Sequence, residues 1–152
     1  MGTEDVRRYF KENNYDFEIY ELEESTATVE EAAKAHGVIP AMIAKTLAFD
    51  LKDKQILIVT NGEARIDNKK YKAQFRKKAK MMKPDQVLKI VGHPVGGVCP
   101  FGLKNPLEIY LDKSLLEFDY IYPAAGASNS SIKITPQKLQ EITQGIWVDV
   151  CS

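Results

Sequence analysis

Two apolar runs, Met42-Ile43-Ala44-Lys45-Thr46-Leu47-Ala48-Phe49-Asp50 and Gln55-Ile56-Leu57-Ile58-Val59-Thr60, are joined through Lys52-Asp53-Lys54. Neither run alternates strictly between apolar and polar residues, so each predicted strand is covered on both faces. The pair therefore reads as a hairpin at the centre of a sheet. Lys45 is the exception inside it. An ammonium in the middle of a buried strand must find a partner or face a cavity, because an unpaired buried charge is costly. Two placements remain open: snorkelling to the surface near the strand start, or a cation pointing into a polar pocket.

The second constraint is Gly92-His93-Pro94-Val95-Gly96-Gly97-Val98-Cys99-Pro100-Phe101-Gly102-Leu103, with four glycines and two prolines in twelve positions. Helix and long strand are excluded there, since glycine is entropically costly and proline lacks the backbone donor. Val95, Val98, Cys99, Phe101 and Leu103 make it an unusually apolar loop. A glycine pair among buried neighbours lets backbone N–H groups approach a carbonyl oxygen or an oxyanion. A buried crossover without a ligand fits the same pattern. His93 reads as a general base or as a loop hydrogen-bonder, and the lack of a legible acid partner favours the second. Cys99 has no legible His or Asp partner, and an apolar setting raises a thiol pKa, so a cysteine nucleophile is disfavoured. A second small-residue loop, from Pro123 to Ser131, offers N–H and O–H donors to a polar ligand or is an ordinary turn.

Short helices and strands account for the remainder. A helix capped by Thr3 or Asp5 runs to about Glu12, followed by a strand from Phe17 to Leu22. Thr28 and Glu31 form a capping box for a helix that Gly37 stops, and His36 in its last turn is assigned a dipole-capping role without chemistry. Asn68 is the expected cap of a further helix. Lys80 to Met82 is a short strand, Pro84 to Val91 a helix, and Leu107 to Asp112, Phe118 to Tyr122 and Ser131 to Ile134 are strands. Thr135 caps a helix ending near Gly145, and Ile146 to Val150 closes the chain as a strand. A length of 152 residues suits one domain, 1–152, large enough for a real core. The two cysteines, Cys99 and Cys151, show no CxxC spacing, the first twenty residues are too charged for a signal segment, and no apolar run has membrane-spanning length. The expectation is a cytoplasmic protein with free thiols.

Formal net charge is zero, yet the charges are segregated. Glu12 to Glu31 holds no Lys or Arg, whereas Lys69 to Lys83 holds no acid. The second block, with Lys69, Lys70, Lys72, Arg76, Lys77 and Lys78, is a candidate phosphate-binding surface on which Tyr71 and Phe75 would stack against bases. A solvated helix face is the competing explanation.

Three stretches in order carry a family resemblance: Ile43-Ala44-Lys45-Thr46-Leu47, Val95-Gly96-Gly97-Val98-Cys99-Pro100-Phe101-Gly102, and Gly126 to Ser131 followed by Ile132-Lys133-Ile134-Thr135-Pro136. They resemble the hallmarks of the YbaK/ProX proteins, the prolyl-tRNA synthetase-associated editing domain family, and the resemblance covers nearly the whole chain. It implies an α/β (α+β) fold with a mixed, curved, partly barrel-like sheet surrounded by helices. It also implies a free-standing deacylase that hydrolyses the ester of a mischarged tRNA of the Ala- or Cys-tRNA(Pro) type.

The family's strand lysine falls on Lys45, with Thr46 beside it. Its glycine-rich substrate loop falls on Gly96 and Gly97, with Val98 adjoining, and its Gly/Ser loop falls on Gly126 and Ser131, with Ser128 and Ser130 competing for the latter role. Tyr20 lies near a pocket-wall position. Lys45 and Gly97 are thus the expected catalytic groups, and Tyr20, Thr46, Gly96, Val98, Gly126 and Ser131 the expected substrate contacts. Many relatives carry serine where Cys99 stands. The resemblance implies no cofactor, no metal and no protein nucleophile. The expected partners are tRNA rather than DNA, and an aminoacyl-tRNA synthetase. A non-catalytic module that binds tRNA ends or a synthetase is the alternative, and a small-molecule hydrolase using Cys99 or His93 is the weakest reading.

Overall fold

In chain order the computed structural model, which describes residues 2–152, contains α1 (Thr3–Glu12), β1 (Tyr20–Glu21), α2 (Val29–His36), β2 (Ile43–Asp50), β3 (Gln55–Asn61), α3 (Asn68–Phe75), α4 (Pro84–Ile90), β4 (Glu108–Asp112), β5 (Tyr122–Pro123), β6 (Ser130–Ser131), α5 (Pro136–Thr143) and β7 (Ile146–Val148). Short 3-10 turns occupy Pro40–Met42 and Lys113–Glu117. The expected hairpin forms: β2 and β3 pair antiparallel, from Ala44 opposite Asn61 to Asp50 opposite Gln55. Lys52 takes the left-handed conformation in the turn, and Leu51 N–H donates to the Lys54 carbonyl at 2.8 Å.

The sheet order is β5-β2-β3-β4-β7, with β3 central and every pairing other than the hairpin parallel. Such strands need cover on both faces. Ile56 and Ile58 point into a layer with Phe49, Tyr71 and Tyr110. Val59 packs instead with Ala44, Phe10, Phe101, Leu111 and Ile132. Leu57 joins Ala48 and Val87 of α4. All four consecutive residues Ile56 to Val59 are fully buried, and burying each contributes roughly 1.5–3 kcal/mol relative to exposure. The mixed sheet with five α-helices is the expected α/β class.

Several strand and cap expectations need correction. Phe17 to Leu22 is a strand only at Tyr20–Glu21, because its partner β6 is two residues long; Phe17 and Ile19 still pack on the core from irregular backbone. The strands expected over Phe118 to Tyr122 and Ser131 to Ile134 shrink to β5, β6 and two isolated bridges, Ile121 to Ile134 and Ala124 to Ser131. β7 stops at Val148, since Val150 N–H donates to the Asp112 carboxylate at 2.8 Å rather than to a strand. Lys80 to Met82 contributes a single bridge, Phe49 to Met81. Neither Thr3 nor Asp5 caps α1: Gly2 is the N-cap, its carbonyl accepts from Asp5 and Val6 N–H, and Thr3 Oγ1 meets Ser130 Oγ at 3.1 Å. Asp67, not Asn68, caps α3, accepting from the N–H groups of Lys69 and Lys70 at 2.9 and 3.0 Å. Asp67 lies in extended backbone, where its carboxylate reaches those orphan donors.

Candidate functional site

The hairpin, the loop after α4 and the loop ending in β6 enclose a cavity of about 360 Å³. Lys45, Thr46, Gly96, Val98 and Ser131 all line it. Three distant stretches of sequence therefore reach one concave surface, otherwise walled largely by apolar side chains such as Val29, Ile43 and Met82.

Lys45 is half-buried on β2. Its ammonium donates to the Ala64 carbonyl at 2.6 Å and the Gly62 carbonyl at 3.3 Å. Lys45 lines the cavity and also borders a more polar groove with Gly62, Glu30, Glu63 and Arg65, where the Gly62 carbonyl engages its ammonium. Burial pushes its pKa below the ordinary lysine value and the Arg65 charge acts the same way, while Cys151 and Glu30 oppose them. A desolvated cation of this kind interacts strongly with an incoming anion or carbonyl. Thr46 Oγ1 is buried and finds no hydrogen-bond partner among the described residues. Leaving such a hydroxyl unpaired costs about 1–3 kcal/mol.

The glycine pair divides its roles. Gly96 takes a left-handed φ of 94° and lines the cavity. Gly97 does not line it: its N–H donates to the Pro94 carbonyl at 2.9 Å and its own carbonyl accepts from Gly126 N–H at 3.1 Å. The Gly97 N–H is therefore occupied, whereas the N–H groups of the cavity-lining Val95, Gly96 and Val98 make no hydrogen bond among the described residues. Gly126, at φ 97°, is packed against Gly2 behind the cavity wall. Tyr20 is also behind the wall, its ring edge-on to His36 with centroids 6.0 Å apart.

Ser131 is 3% exposed and its Oγ lies 2.5 Å from His36 Nε2. The sequence signals nothing of this contact. His36 closes α2 as expected, with Gly37 in the left-handed conformation after it. Its ring, however, turns toward Ser131 and lies 4.7 Å from the Tyr122 ring, and burial lowers its pKa.

The remaining candidates separate clearly. His93 is fully buried with Nε2 against the Phe101 carbonyl at 2.6 Å, which is the loop-bonding role. Cys99 is fully buried, and desolvation pushes its thiol up to about 12, far from a nucleophilic thiolate at neutral pH. In the basic block Tyr71 is fully buried against Phe49 and Phe75, so the expected base stacking by Tyr71 is ruled out. The α3 helix needs that ring as its core anchor. Lys70 pairs with Asp149, and Lys77 with Asp53, whereas Lys69, Lys72, Arg76 and Lys78 are exposed. No helix among the described residues is long and apolar enough to cross a membrane, and none of their His, Cys, Asp and Glu side chains group as a metal site.

The comparisons with known proteins agree with one another. A family model described as an aminoacyl-tRNA editing domain matches residues 23–142. The uncharacterized protein YwhH of Bacillus subtilis (strain 168) is 46% identical over 153 residues, covering 99% of this chain and 98% of that protein. A proline–tRNA ligase of Thermotoga sp. (strain RQ2) is 30% identical over 77 residues, half of this chain but only 13% of the ligase. Among solved structures, a candidate trans-editing enzyme for prolyl tRNA synthetase superimposes with a TM-score of 0.91 at 28% identity, covering 99% of this chain and 96% of the other. Matched over most of its length, this chain belongs to the aminoacyl-tRNA editing domain family.

Proposed function

We propose that the chain is a trans-acting deacylase that hydrolyses the ester between a wrong amino acid and the 3′-terminal adenosine of a tRNA. The observation that carries this is the convergence of Lys45, Thr46, Gly96, Val98 and Ser131 on one cavity. In the reaction a water oxygen attacks the ester carbonyl, the bond to the ribose oxygen breaks, and that oxygen takes a proton. Free amino acid and tRNA leave. An aminoacyl ester is already activated, so the protein has mainly to position it and stabilise the oxyanion.

The unpaired N–H groups of the cavity-lining Val95, Gly96 and Val98 supply the donors for that oxyanion, and losing one such donor commonly costs a few kcal/mol of barrier. Lys45, held by two carbonyls, anchors the terminal nucleotide's phosphate or the ester carbonyl. The small, largely apolar cavity suits a compact amino acid such as alanine or cysteine, and the relatives' names, a proline–tRNA ligase and a trans-editing enzyme for prolyl tRNA synthetase, support tRNA(Pro) as the carrier. The exposed cations of α3 and its C-terminal end track the tRNA backbone.

The test is deacylation of a panel of mischarged tRNAs, including Ala-tRNA(Pro) and Cys-tRNA(Pro), by the wild type and Lys45→Ala in parallel. Clearance of one species by the wild type and not by the variant is the expected result. Binding of tRNA without clearance of any species would replace this reading with that of a recognition module.

A further inference from the structure

Ser131 is clamped by backbone on both sides: it pairs with Tyr20 across the β1–β6 ladder and bridges to Ala124. Opposed residues of an antiparallel pair share a face, and on that face sits the His36 ring, edge-on to Tyr20 and 4.7 Å from Tyr122. Ser131 and Tyr122 also line the 360 Å³ cavity. Ser131 thus lines the cavity while its hydroxyl meets His36 Nε2 at 2.5 Å.

We infer that His36 is a positioning residue of this site, fixing the Ser131 hydroxyl and thereby deciding whether the cavity wall offers the aminoacyl group a hydrogen-bond donor or an acceptor. The identity of that ligand rests on the editing reading above. A hydroxyl has one proton and two lone pairs, and neutral imidazole has one donor and one acceptor nitrogen. With a bare Nε2, Ser131 gives its proton to His36 and shows lone pairs to the ligand, which suits an α-ammonium. With a protonated Nε2, Ser131 accepts from His36 and keeps its own proton for an ester or side-chain oxygen. Either state makes the ligand and His36 share one hydroxyl. An apolar pocket rejects hydroxyl-bearing isosteres weakly, whereas a hydroxyl of fixed polarity discriminates between them. His36 is thus a determinant of which small amino acid the cavity retains.

The test uses His36→Phe, which keeps an aromatic ring between Tyr20 and Tyr122 but removes the nitrogen, together with Ser131→Ala, the double variant and His36→Gln. Each single variant is expected to raise KM for the deacylated substrate roughly three- to tenfold, the scale of one missing hydrogen bond, with kcat little changed. The double variant should be no worse than the singles, because the two groups act as one unit, and His36→Gln should recover part of the loss. Additive effects, or a silent His36→Phe, overturn the inference. A second readout does not depend on activity. The chain has two histidines, so the ring 15N signals of His36 can be assigned by difference and compared between wild type and Ser131→Ala. Signals that move support the coupling, and signals that stay refute it even if the wild type deacylates nothing. Failure of the editing reading alone would instead show as an inactive wild type with a coupled His36.

Discussion

Gly126 N–H donates to the Gly97 carbonyl at 3.1 Å, and this bond clasps together two loops that the sequence separates by nearly thirty positions. A Cβ built on Gly97 would lie 2.5 Å from Ala127 N and 2.6 Å from Gly126 C, both backbone atoms that cannot swing away. At Gly96 the obstacle is the left-handed φ of 94°, while the nearest atom to a new Cβ, on Ala27, is 3.1 Å away. Gly97→Ala should therefore destabilise the protein by about 1–3 kcal/mol through overpacking, and Gly96→Ala by about 1–2 kcal/mol through backbone strain. Urea unfolding of both variants checks this. Wild-type midpoints would show that the clasp carries no stability.

The basic block is divided by its partners. Lys70 is committed to Asp149 and the Cys151 carbonyl, and Lys77 to Asp53 and the Leu51 carbonyl. Lys69, Lys72 and Lys78 remain exposed. Replacing these three by Glu is expected to weaken tRNA binding and to flatten its dependence on log salt by roughly 0.7–0.9 for each phosphate no longer neutralised. Lys70→Met and Lys77→Met should leave that slope unchanged. Fluorescence titrations between 50 and 200 mM salt, a range in which neutralising about six phosphates would change affinity on the order of a thousandfold, separate the two sets. Equal slopes in all variants would remove the block from the account of tRNA binding.

Legibility followed the range of the interactions. The β2–β3 hairpin was readable because every residue from Ile56 to Val59 is apolar, a local signal of cover on both faces. Thr28 and Thr135 were readable as caps because the donors they accept from lie three residues away. Strand ends were not, because β1, β5 and β6 are limited by partners far off in sequence and by the missing N–H of Pro123. Composition made the basic block look uniform, yet the acids that engage Lys70 and Lys77 stand 79 and 24 positions away. At the site, Lys45 was marked by its charge in an apolar strand. The occupied N–H of Gly97 and the reach of His36 to Ser131 depend on tertiary geometry that no local pattern carries.

Cys99 offers a direct check on the chemistry. The thiol is fully buried, donates to the Phe101 carbonyl at 3.6 Å, and is pushed up to about 12 by desolvation. Cys151 is likewise buried and pushed up to about 12. Neither forms appreciable thiolate at pH 8, and only the thiolate reacts. Cys99→Ser should therefore retain full deacylation. Iodoacetamide labelling of the native wild type at pH 8 should be slow, and should accelerate on adding urea in step with unfolding. Abolished hydrolysis in Cys99→Ser, or rapid native labelling tied to inactivation, would restore the cysteine-enzyme reading.

His93 couples the same loop to acid. It is fully buried, its Nε2 meets the Phe101 carbonyl, and Nδ1 has no partner among the described residues. Burial lowers its pKa, although the Phe101 bond and Asp5 partly oppose the shift. Between that depressed value and the ordinary histidine value near 6.5, the unfolded chain binds a proton that the native chain refuses. Stability therefore rises with pH across that interval and is fully present above it, with a slope of at most about 1.4 kcal/mol per pH unit for one proton. His36 is lowered by burial too and adds a contribution of the same sign. Urea unfolding at pH 7.0, 6.0 and 5.0 should show falling stability before most carboxylates titrate. His93→Gln should reduce the slope whatever it does to stability at pH 7. A wild-type slope of zero from pH 5 to 7 would mean that the loop admits a charged imidazole, and that its apolar packing around Phe101 is looser than the buried ring implies.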